Sequence, residues 1–447
     1  MDDEIYSVKN EQEIDGNNLI KYYISSKTTL AKNHNTKFFE NDTELKDSDP
    51  NRNYTEKDFT DKIKKEVLNF INQSYDNIIV LAGAGSSVVI ENDGIDKNFG
   101  KTVAMISENI ANELGDINSI ENLDSTLDYG PSVCSTNSEQ MNIDEYFTLN
   151  ELATISNYDK PVNITMGGNE EYNSDFNLED FLSNLLTYEL FINDDDVEMK
   201  AKFVRSKDKI LELIKENTNY SFKKDKMKHD TFLKLLTKKV KKPHKLTIIT
   251  TNYDTLFEEA AESLEITVMD GFSFSYHPYF DSDMFEWNLV KDVPNVKTKE
   301  LEYKKNCINL LKIHGSLTWE RSENKKRIRR KNKDFVKKPI MIFPSSNKYM
   351  QSYEEPYFEL FTKFQALLRK QNTLLITTGF SFADNHITKM ITQAIKHNSG
   401  LAVLVSDFNI EQTHENWKEL DKLRENHFRI AFLKATLNSD LTDYIGG

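Results

Sequence analysis

Two polar side chains, Asn252 and His314, follow apolar runs that are typical of buried strands. Asn252 comes after KLTIITT, and His314 comes after CINLLKI. An asparagine amide can orient a water molecule or a sugar hydroxyl, and a histidine with a free ring nitrogen suits general-base work near neutral pH. Both also have ordinary explanations, because asparagine is a favoured helix N-cap and most of the nine histidines will be surface or core residues. The two are candidates for acid–base chemistry.

A glycine-rich segment, Gly83-Ala84-Gly85-Ser86-Ser87, follows the apolar run NIIVLA. Glycines at such a turn allow positive φ and let main-chain N–H groups approach a pyrophosphate closely. The segment is not a complete GxGxxG, because Val88 stands at the third glycine position, and no Walker A lysine follows. An ordinary strand–helix turn explains it equally well.

Carboxylates stand at further strand ends. Asp254 shares the turn TTNYD with Thr251 and could accept a hydrogen bond from a ribose hydroxyl. Asp407 ends the run LAVLVSD, in the position of a carboxylate that binds adenosine ribose, although a plain loop aspartate explains it equally well. Asp384 and His386, in GFSFADNH, are less specific and suit caps of the helix that follows.

Short apolar strands that alternate with helical patterns must position these side chains. Helical spacing is found over 60–74, 254–263 and 357–371. The strand-like runs are NIIVLA, KLTIITT, CINLLKI, PIMIFP, TLLITT, LAVLVSD and FRIAFL. We therefore predict an α/β fold, a Rossmann-like, doubly wound and mostly parallel sheet with a large helical and loop cap insertion. Because ligands bind beyond the carboxyl ends of such strands, the polar clusters should converge on one nucleotide site.

Composition excludes several classes of protein. The chain has 447 residues and a formal net charge of −15, which argues against a protein that coats nucleic acid or anionic membranes. Two cysteines, Cys134 and Cys307, cannot build a four-thiolate zinc site or a disulfide framework. The opening MDDEIYSVKN shows no secretory signal, and the longest apolar runs fall far short of a membrane span. We expect a cytoplasmic protein.

The charge pattern predicts the domain organisation. Residues 1–55 are polar and without sustained periodicity, which predicts an extension outside the core. Residues 56–447 then form the nucleotide-binding domain, with an insertion or cap over about 91–245. Within it, residues 111–200 carry 20 acidic and 2 basic side chains, most simply a solvated cap. A basic hairpin or loop is expected over about 320–338.

The clusters in this order resemble the sirtuin-like (SIR2) superfamily. GAGSS is similar to the family's phosphate loop, TTNYD to its TQN-x-D, KIHGS to the strand with its catalytic histidine, and TGFSFADNHI to its late nucleotide-contacting segment. FNLEDFLSNLL, over 176–186, also looks like a helix of the bacterial SIR2-like branch. The resemblance spans about residues 60–435.

The departures narrow what the resemblance implies. Sirtuin deacetylases carry four zinc-binding cysteines that this chain lacks, which disfavours a protein deacylase. The bacterial SIR2-like proteins without zinc are similar to this one, and they hydrolyse NAD⁺ in anti-phage defence. The resemblance therefore implies an NAD⁺ glycohydrolase with no structural zinc and no metal. Activation would come from self-assembly into a homo-oligomer or from a partner such as a hexameric HerA-type ATPase.

The resemblance also distributes roles over the candidate residues. Asn252 would position water and ribose hydroxyls, and His314 would act as the base. The residues expected to bind NAD⁺ are Gly83, Ala84, Gly85, Ser86, Thr251, Asp254, Gly379, Ser381 and Asp407.

Two other functions remain open. The basic segment Lys325–Lys338 could grip nucleic acid in a nuclease or guide-dependent effector, although no paired-carboxylate metal motif accompanies it. A non-catalytic sensor of NAD⁺ or a derivative is the second alternative.

Overall fold

The computed structural model of the protein describes residues 19–49, 51–91, 94–96, 98–115, 145–166, 169–173, 176–294, 300–322, 327–341 and 356–446. The chain divides into two compact units. Unit 1 consists of the described residues of Met1–Gly100, Asn219–Ile342 and Met350–Gly447, and unit 2 of those of Lys101–Thr218.

The strands, in chain order, are β1 (Leu19–Ser25), β2 (Thr29–Asn33), β3 (Phe38–Glu40), β4 (Thr43–Glu44), β5 (Asn77–Ala82), β6 (Ile90–Glu91), β7 (Gly94–Ile95), β8 (Asn163–Met166), β9 (Asn169–Tyr172), β10 (Leu246–Thr250), β11 (Thr267–Met269), β12 (Val290–Asp292), β13 (Leu301–Tyr303), β14 (Cys307–Lys312), β15 (Gly315–Ser316), β16 (Trp319–Arg321), β17 (Ile328–Arg330), β18 (Ile340–Met341), β19 (Thr373–Thr378), β20 (Leu401–Asp407) and β21 (Ile430–Lys434).

The α-helices are α1 (Glu56–Ile71), α2 (Val103–Glu113), α3 (Leu149–Ile155), α4 (Leu178–Glu189), α5 (Val197–Thr218), α6 (His229–Thr237), α7 (Leu256–Ser263), α8 (Tyr357–Leu368), α9 (Asn385–His397), α10 (Glu415–Glu425) and α11 (Leu441–Ile445). Short 3₁₀ helices cover Ala84–Ser86, Ser282–Phe285 and Lys333–Phe335.

Unit 1 is built on one large sheet with the order β11-β14-β10-β5-β19-β20-β21-β1-β2-β3-β4. The strands from β11 to β21 in this order run parallel, and β1 to β4 continue the sheet antiparallel. The predicted α/β, Rossmann-like and mostly parallel sheet is confirmed. The part of the predicted strand PIMIFP that lies within the described residues forms β18, which pairs antiparallel with β15 outside this sheet.

Helices cover both faces of the sheet, as its apolar strands require. In β5, Ile78 and Val80 pack in one hydrophobic core, whereas Ile79 and Leu81 pack in another. The first core also holds side chains of α1, α6, α7 and α11, and the second those of α8, α9 and α10. Because side chains alternate between the faces of a strand, a wholly apolar run is expected only where both faces are buried.

The N-terminal segment corrects the prediction of an extension outside the core. Strand β1 pairs with β21, and β2, β3 and β4 follow it in the same sheet. Tyr23, Leu30 and Phe38 are buried there. These apolar side chains are few and stand among Asn, Asp and Lys. Because the strands are also short, the sequence shows no sustained alternation of apolar and polar residues.

Unit 2 has a helical core of its own. Helix α2 packs on α4 and α5, and α3 packs on α4. Ile110, Leu152, Phe181 and Phe203 from these helices are fully buried. The helix expected over 176–186 is α4, and the small ladder β8–β9 completes the unit.

In unit 1, β16 and β17 form an antiparallel pair that overlaps the basic 320–338 range. Across the described parts of the chain, no helix is long and apolar enough to cross a membrane.

Candidate functional site

The predicted clusters lie side by side at the carboxyl edge of the parallel sheet. Ala82 at the end of β5 is in register with Thr250 of β10 on one side and Thr378 of β19 on the other. Thr250 is in register with Lys312 of β14, and Thr378 with Ser406 of β20. The segments that follow these strands therefore leave one edge of the sheet together: Gly83–Ser87, Thr251–Asp254, His314, Gly379–Ser381 and Asp407.

The glycines of the turn after β5 allow the main chain of this turn to pack closely against the main chain of the turn at Gly379. A Cβ atom on Gly83 would lie 2.6 Å from the carbonyl oxygen of Gly379, and one on Gly85 would lie 2.8 Å from the Gly379 Cα. Gly379 itself has φ +58°, and its Cβ would lie 2.2 Å from the Ser86 nitrogen. Side chains at these positions would push the two turns apart.

This geometry differs from the positive φ that the sequence led us to expect at the first turn. Gly83 has φ −110° and begins a 3₁₀ helix over Ala84–Ser86. The N–H of Gly83 donates to the Thr378 oxygen at 3.1 Å, and that of Gly85 to the Gly379 oxygen at 3.0 Å. These two predicted phosphate donors are thus bonded to the neighbouring strand end.

Asn252 ties its own turn to the glycine turn. It is 9% exposed, and its Nδ2 donates to the Gly83 oxygen at 3.1 Å and to the Ser87 Oγ at 3.0 Å, with the Ser86 Oγ at 3.3 Å. Its main-chain N–H donates to the Thr250 Oγ1. With Nδ2 directed at protein acceptors, Oδ1 is the amide atom suited to accept from water or a hydroxyl.

Asp254 and Thr251 complete this turn. One carboxylate oxygen of Asp254 accepts from the Ser87 Oγ at 2.8 Å, and the other accepts from the Leu256 N–H at 3.1 Å, at the start of α7. Thr251 is half-buried, and its N–H donates to the Ala82 oxygen. Asp254 lies in the cluster as predicted and also has a clear structural task, which is to hold Ser87.

His314 is almost enclosed and lies beside a carboxylate. Its side chain is 5% exposed, and its Nε2 is 3.5 Å from Oδ2 of Asp384. The ring of Phe361 lies 6.5 Å from the imidazole, centre to centre. A carboxylate in this position favours a proton on Nε2, which leaves Nδ1 as the acceptor nitrogen of the neutral ring.

Asp384 does two things at once. Its Oδ1 accepts from the N–H groups of His386 and Ile387, so it caps α9 as the sequence suggested. Its other oxygen approaches His314, which links the third and fourth clusters. The exposed Ser381 lies nearby in sequence and accepts from the Ala383 N–H at 3.4 Å.

Asp407 lies at the end of β20, beside the turn of Gly379. It is buried, and its Oδ1 accepts from the Asn409 N–H at 3.0 Å and from the Gln412 amide at 3.3 Å. Burial raises the pKa of Asp407 to about 6, against the opposing effect of these hydrogen bonds.

Three residues that build the site had no role assigned to them from the sequence. Ser87 accepts from Asn252 and donates to Asp254, and Lys312 donates to the main-chain oxygens of Tyr253 and Asp254. Asn438, far along the chain, donates to the oxygens of Ser86 and Val88. Two of them had a visible signal in the sequence, because Ser87 belongs to the glycine-rich segment and Lys312 is a lysine inside the apolar run CINLLKI.

The described residues contain no group of three or more His, Cys, Asp or Glu side chains that could hold a metal ion. Cys307 is a half-buried free thiol at the start of β14, and Cys134 lies outside the described residues.

The sheet defines a Rossmann-like α/β protein, a class in which ligands bind beyond the carboxyl ends of the strands, where the glycine turn, the amide and the histidine lie. Residues 246–427 match the family model of the SIR2-like domain. The matched range begins with β10 and includes Asn252, His314, Gly379 and Asp407. The match supports the assignment of this chain to the SIR2-like superfamily, whose domains use NAD⁺. No curated protein matches the chain.

Proposed function

We propose that this protein is an NAD⁺ glycohydrolase that cleaves the nicotinamide–ribose bond and depletes NAD⁺ in anti-phage defence. One observation carries the proposal. The amide of Asn252 is bonded to the glycine turn after β5, and the neighbouring strand β14 leads to His314 at the same edge of the sheet. The SIR2-like match, with the use of NAD⁺ by such domains, supports the choice of substrate.

The reaction needs water and one base. The bond between ribose C1 and the nicotinamide nitrogen breaks, its electron pair leaves with nicotinamide, and the ribose gains oxocarbenium character. A water oxygen then bonds to C1, and its proton passes to the base. The products are nicotinamide, ADP-ribose and one proton.

The described contacts suit this division of work. Oδ1 of Asn252 would accept from the water or a ribose hydroxyl, because Nδ2 is bonded to the protein. Nδ1 of His314 would take the proton, with Asp384 holding the opposite side of the ring. The remaining contacts would come from the Gly83–Ser86 turn, apart from the Gly83 and Gly85 N–H groups that bond to the neighbouring strand end, and from Gly379 and Ser381 at the pyrophosphate. Thr251 and Asp254 would contact the nicotinamide ribose, and Asp407 the adenosine ribose.

Activity would be switched on by assembly. A homo-oligomer, or a complex with a hexameric HerA-type ATPase, is the form in which we expect turnover during infection. An enzyme that empties the NAD⁺ pool needs such control, since constant activity would harm its own cell.

The test is NAD⁺ consumption by the full chain, with nicotinamide and ADP-ribose separated by chromatography, with and without a candidate ATPase. Asn252→Ala and His314→Ala should each lower turnover by at least about a hundredfold. Asn35→Ala and His34→Ala, which remove the same side-chain types from an exposed turn, should keep wild-type turnover.

Other outcomes would point to other functions. Full turnover by a folded His314→Ala protein would remove His314 from the mechanism. A cyclic product would indicate a cyclase, and NAD⁺ binding without turnover under any condition would indicate a sensor. Neither binding nor turnover would contradict the proposal and direct attention to nucleic acid.

A further inference from the structure

A second concave site lies in unit 1 at the opposite edge of the large sheet. A cavity of about 220 Å³ opens beside the first residues of β10 and β14. Strand β10 runs from Leu246 to Thr250. At about 3.3 Å per residue, this strand separates the cavity from the turn of Asn252 by roughly 13 Å. The cavity is therefore separate from the candidate NAD⁺ site.

The wall of the cavity is rich in basic side chains. It contains four lysines and one histidine but no aspartate or glutamate, and these five residues are Lys242, His244, Lys245, Lys304 and Lys305. The protein as a whole has a net charge of −15, so this local excess runs against the general balance. Such a wall attracts anions.

Nearby carboxylates leave this charge largely uncompensated. Glu302, on the strand that leads to the cavity, forms an ion pair with Lys291 at 3.1 Å. Lys291 holds the pKa of Glu302 below its usual range, and Lys242 and Lys305 add smaller effects. Among the described residues, no ion pair is found for Lys242, Lys304 or Lys305.

Lys245 is the innermost of these lysines. It is half-buried, and its Nζ donates to the carbonyl oxygens of Phe285, at 2.9 Å, and Trp287. Burial lowers the pKa of Lys245, against smaller effects of Cys307 and Glu286 that raise it. Carbonyl oxygens accept its hydrogen bonds but carry no net charge, so an anion beside Lys245 would offset the cost of burying the ammonium.

Favourable interactions with the C-terminus of helix α6 explain only some of the lysines in this region. Lysines beyond the end of α6 interact favourably with its C-terminal carbonyls. Lys239 bonds to Asn72 at 2.7 Å and Lys241 to Ser74 at 2.8 Å, so neutral partners already use these two side chains. Lys304 and Lys305 precede β14, on another part of the chain, and line the same cavity as Lys242.

We propose that this cavity binds a phosphorylated small molecule through its phosphate groups. Lysine binds phosphate as a point charge, and here several lysines converge on one concavity. Tyr303 also lines the cavity and offers an aromatic surface to a sugar or base. The volume of about 220 Å³ lies below the range of roughly 300–1,000 Å³ typical of drug-sized ligands. The cavity therefore suits a polyphosphate group better than a whole dinucleotide.

Calorimetric titration of the full chain with inorganic tripolyphosphate, at about 50 mM salt, tests this proposal. Wild-type protein should bind, and the double variant Lys242→Ala/Lys305→Ala should bind at least roughly tenfold more weakly. The double variant Lys239→Ala/Lys241→Ala removes the same charge from outside the cavity and should retain wild-type affinity. All four lysines are exposed or half-buried, so melting curves should show folded proteins.

Three results would overturn the proposal. The first is no binding by the wild type. The second is an equal loss of tripolyphosphate affinity in both double variants, which would indicate general electrostatic attraction rather than a binding site. The third is tight binding of a single-stranded DNA of roughly 20 nucleotides that tripolyphosphate does not displace, which would indicate a nucleic-acid surface. If the first double variant melts early, Lys305→Glu replaces it under the same criteria. None of these readouts depends on NAD⁺ turnover.

Discussion

Lys312 and Glu258 form an ion pair beside the turn that carries Asn252, with 3.1 Å between Nζ and Oε1. The lysine side chain is only 2% exposed. Its ammonium also donates to the main-chain oxygens of Tyr253, at 3.3 Å, and Asp254. One buried cation therefore connects the strand of His314 with the turn of Asn252.

Lys312→Met should lower the free energy of unfolding by about 3 kcal/mol, because methionine fills the space but leaves three oxygen acceptors without their donor. Urea denaturation measures this loss. Lys389→Met, at an exposed position on α9, is the control and should change stability by less than about 0.5 kcal/mol. Equal stability of the two variants would mean that water replaces the ammonium at no cost.

Gly379→Ala should disrupt the contact between the two glycine turns. The new Cβ would lie 2.2 Å from the Ser86 nitrogen, and φ is +58°. We expect a loss of more than about 3 kcal/mol, from overpacking added to backbone strain. Gly115→Ala is the matched control, since Gly115 has φ +79° but open space around it. It should lose only about 1–2 kcal/mol. Similar melting temperatures for the two variants would contradict the close packing of the turns.

Asp384→Asn should separate the two tasks of Asp384. Asparagine keeps an oxygen to cap α9 but removes the negative charge beside His314. We expect kcat of NAD⁺ hydrolysis to fall roughly ten- to a hundredfold, with little change in KM or melting temperature. Asp281→Asn changes another capping aspartate and should leave kcat unchanged. A fall in melting temperature with unchanged kcat would assign Asp384 a structural role alone.

Asp407→Asn should stabilise the protein above pH 6. The pKa of Asp407 is about 6 in the folded chain against a usual 3.8. As pH rises between these values, the unfolded chain loses the proton first, so the wild-type protein loses about 3 kcal/mol of stability. Asparagine has no such proton and keeps an acceptor for Asn409. The stability difference should therefore be absent near pH 3 and fully developed at pH 7.

Melting curves across this pH range measure the effect. Asp61→Asn makes the same change at an exposed position on α1 and is the control variant measured beside it. A constant difference between Asp407→Asn and wild type at every pH would refute the raised pKa.

The central strands, and the meeting of their carboxyl ends at one edge of the sheet, were predictable from the sequence. Strands β5, β10, β19 and β20 are unbroken apolar runs, because helices bury both of their faces. Parallel strands must end at one edge, so Gly83, Asn252 and Gly379 had to meet once the strands were recognised.

The side-chain pairings of the site were not predictable in the same way. The approach of His314 to Asp384 joins residues 70 positions apart in sequence, and nothing local indicates it. The N-terminal strands were missed because an edge strand needs only a few apolar residues on its buried side.

The bond from the Gly83 N–H to the Thr378 oxygen spans 295 residues of chain, and at about 5–20 residues per second the ribosome needs roughly 15–60 seconds to make that stretch. A nascent chain therefore carries its glycine turn long before it has the strand end against which that turn is formed. The candidate site can therefore be completed only after the ribosome has made strand β19 and the Gly379 turn that follows it.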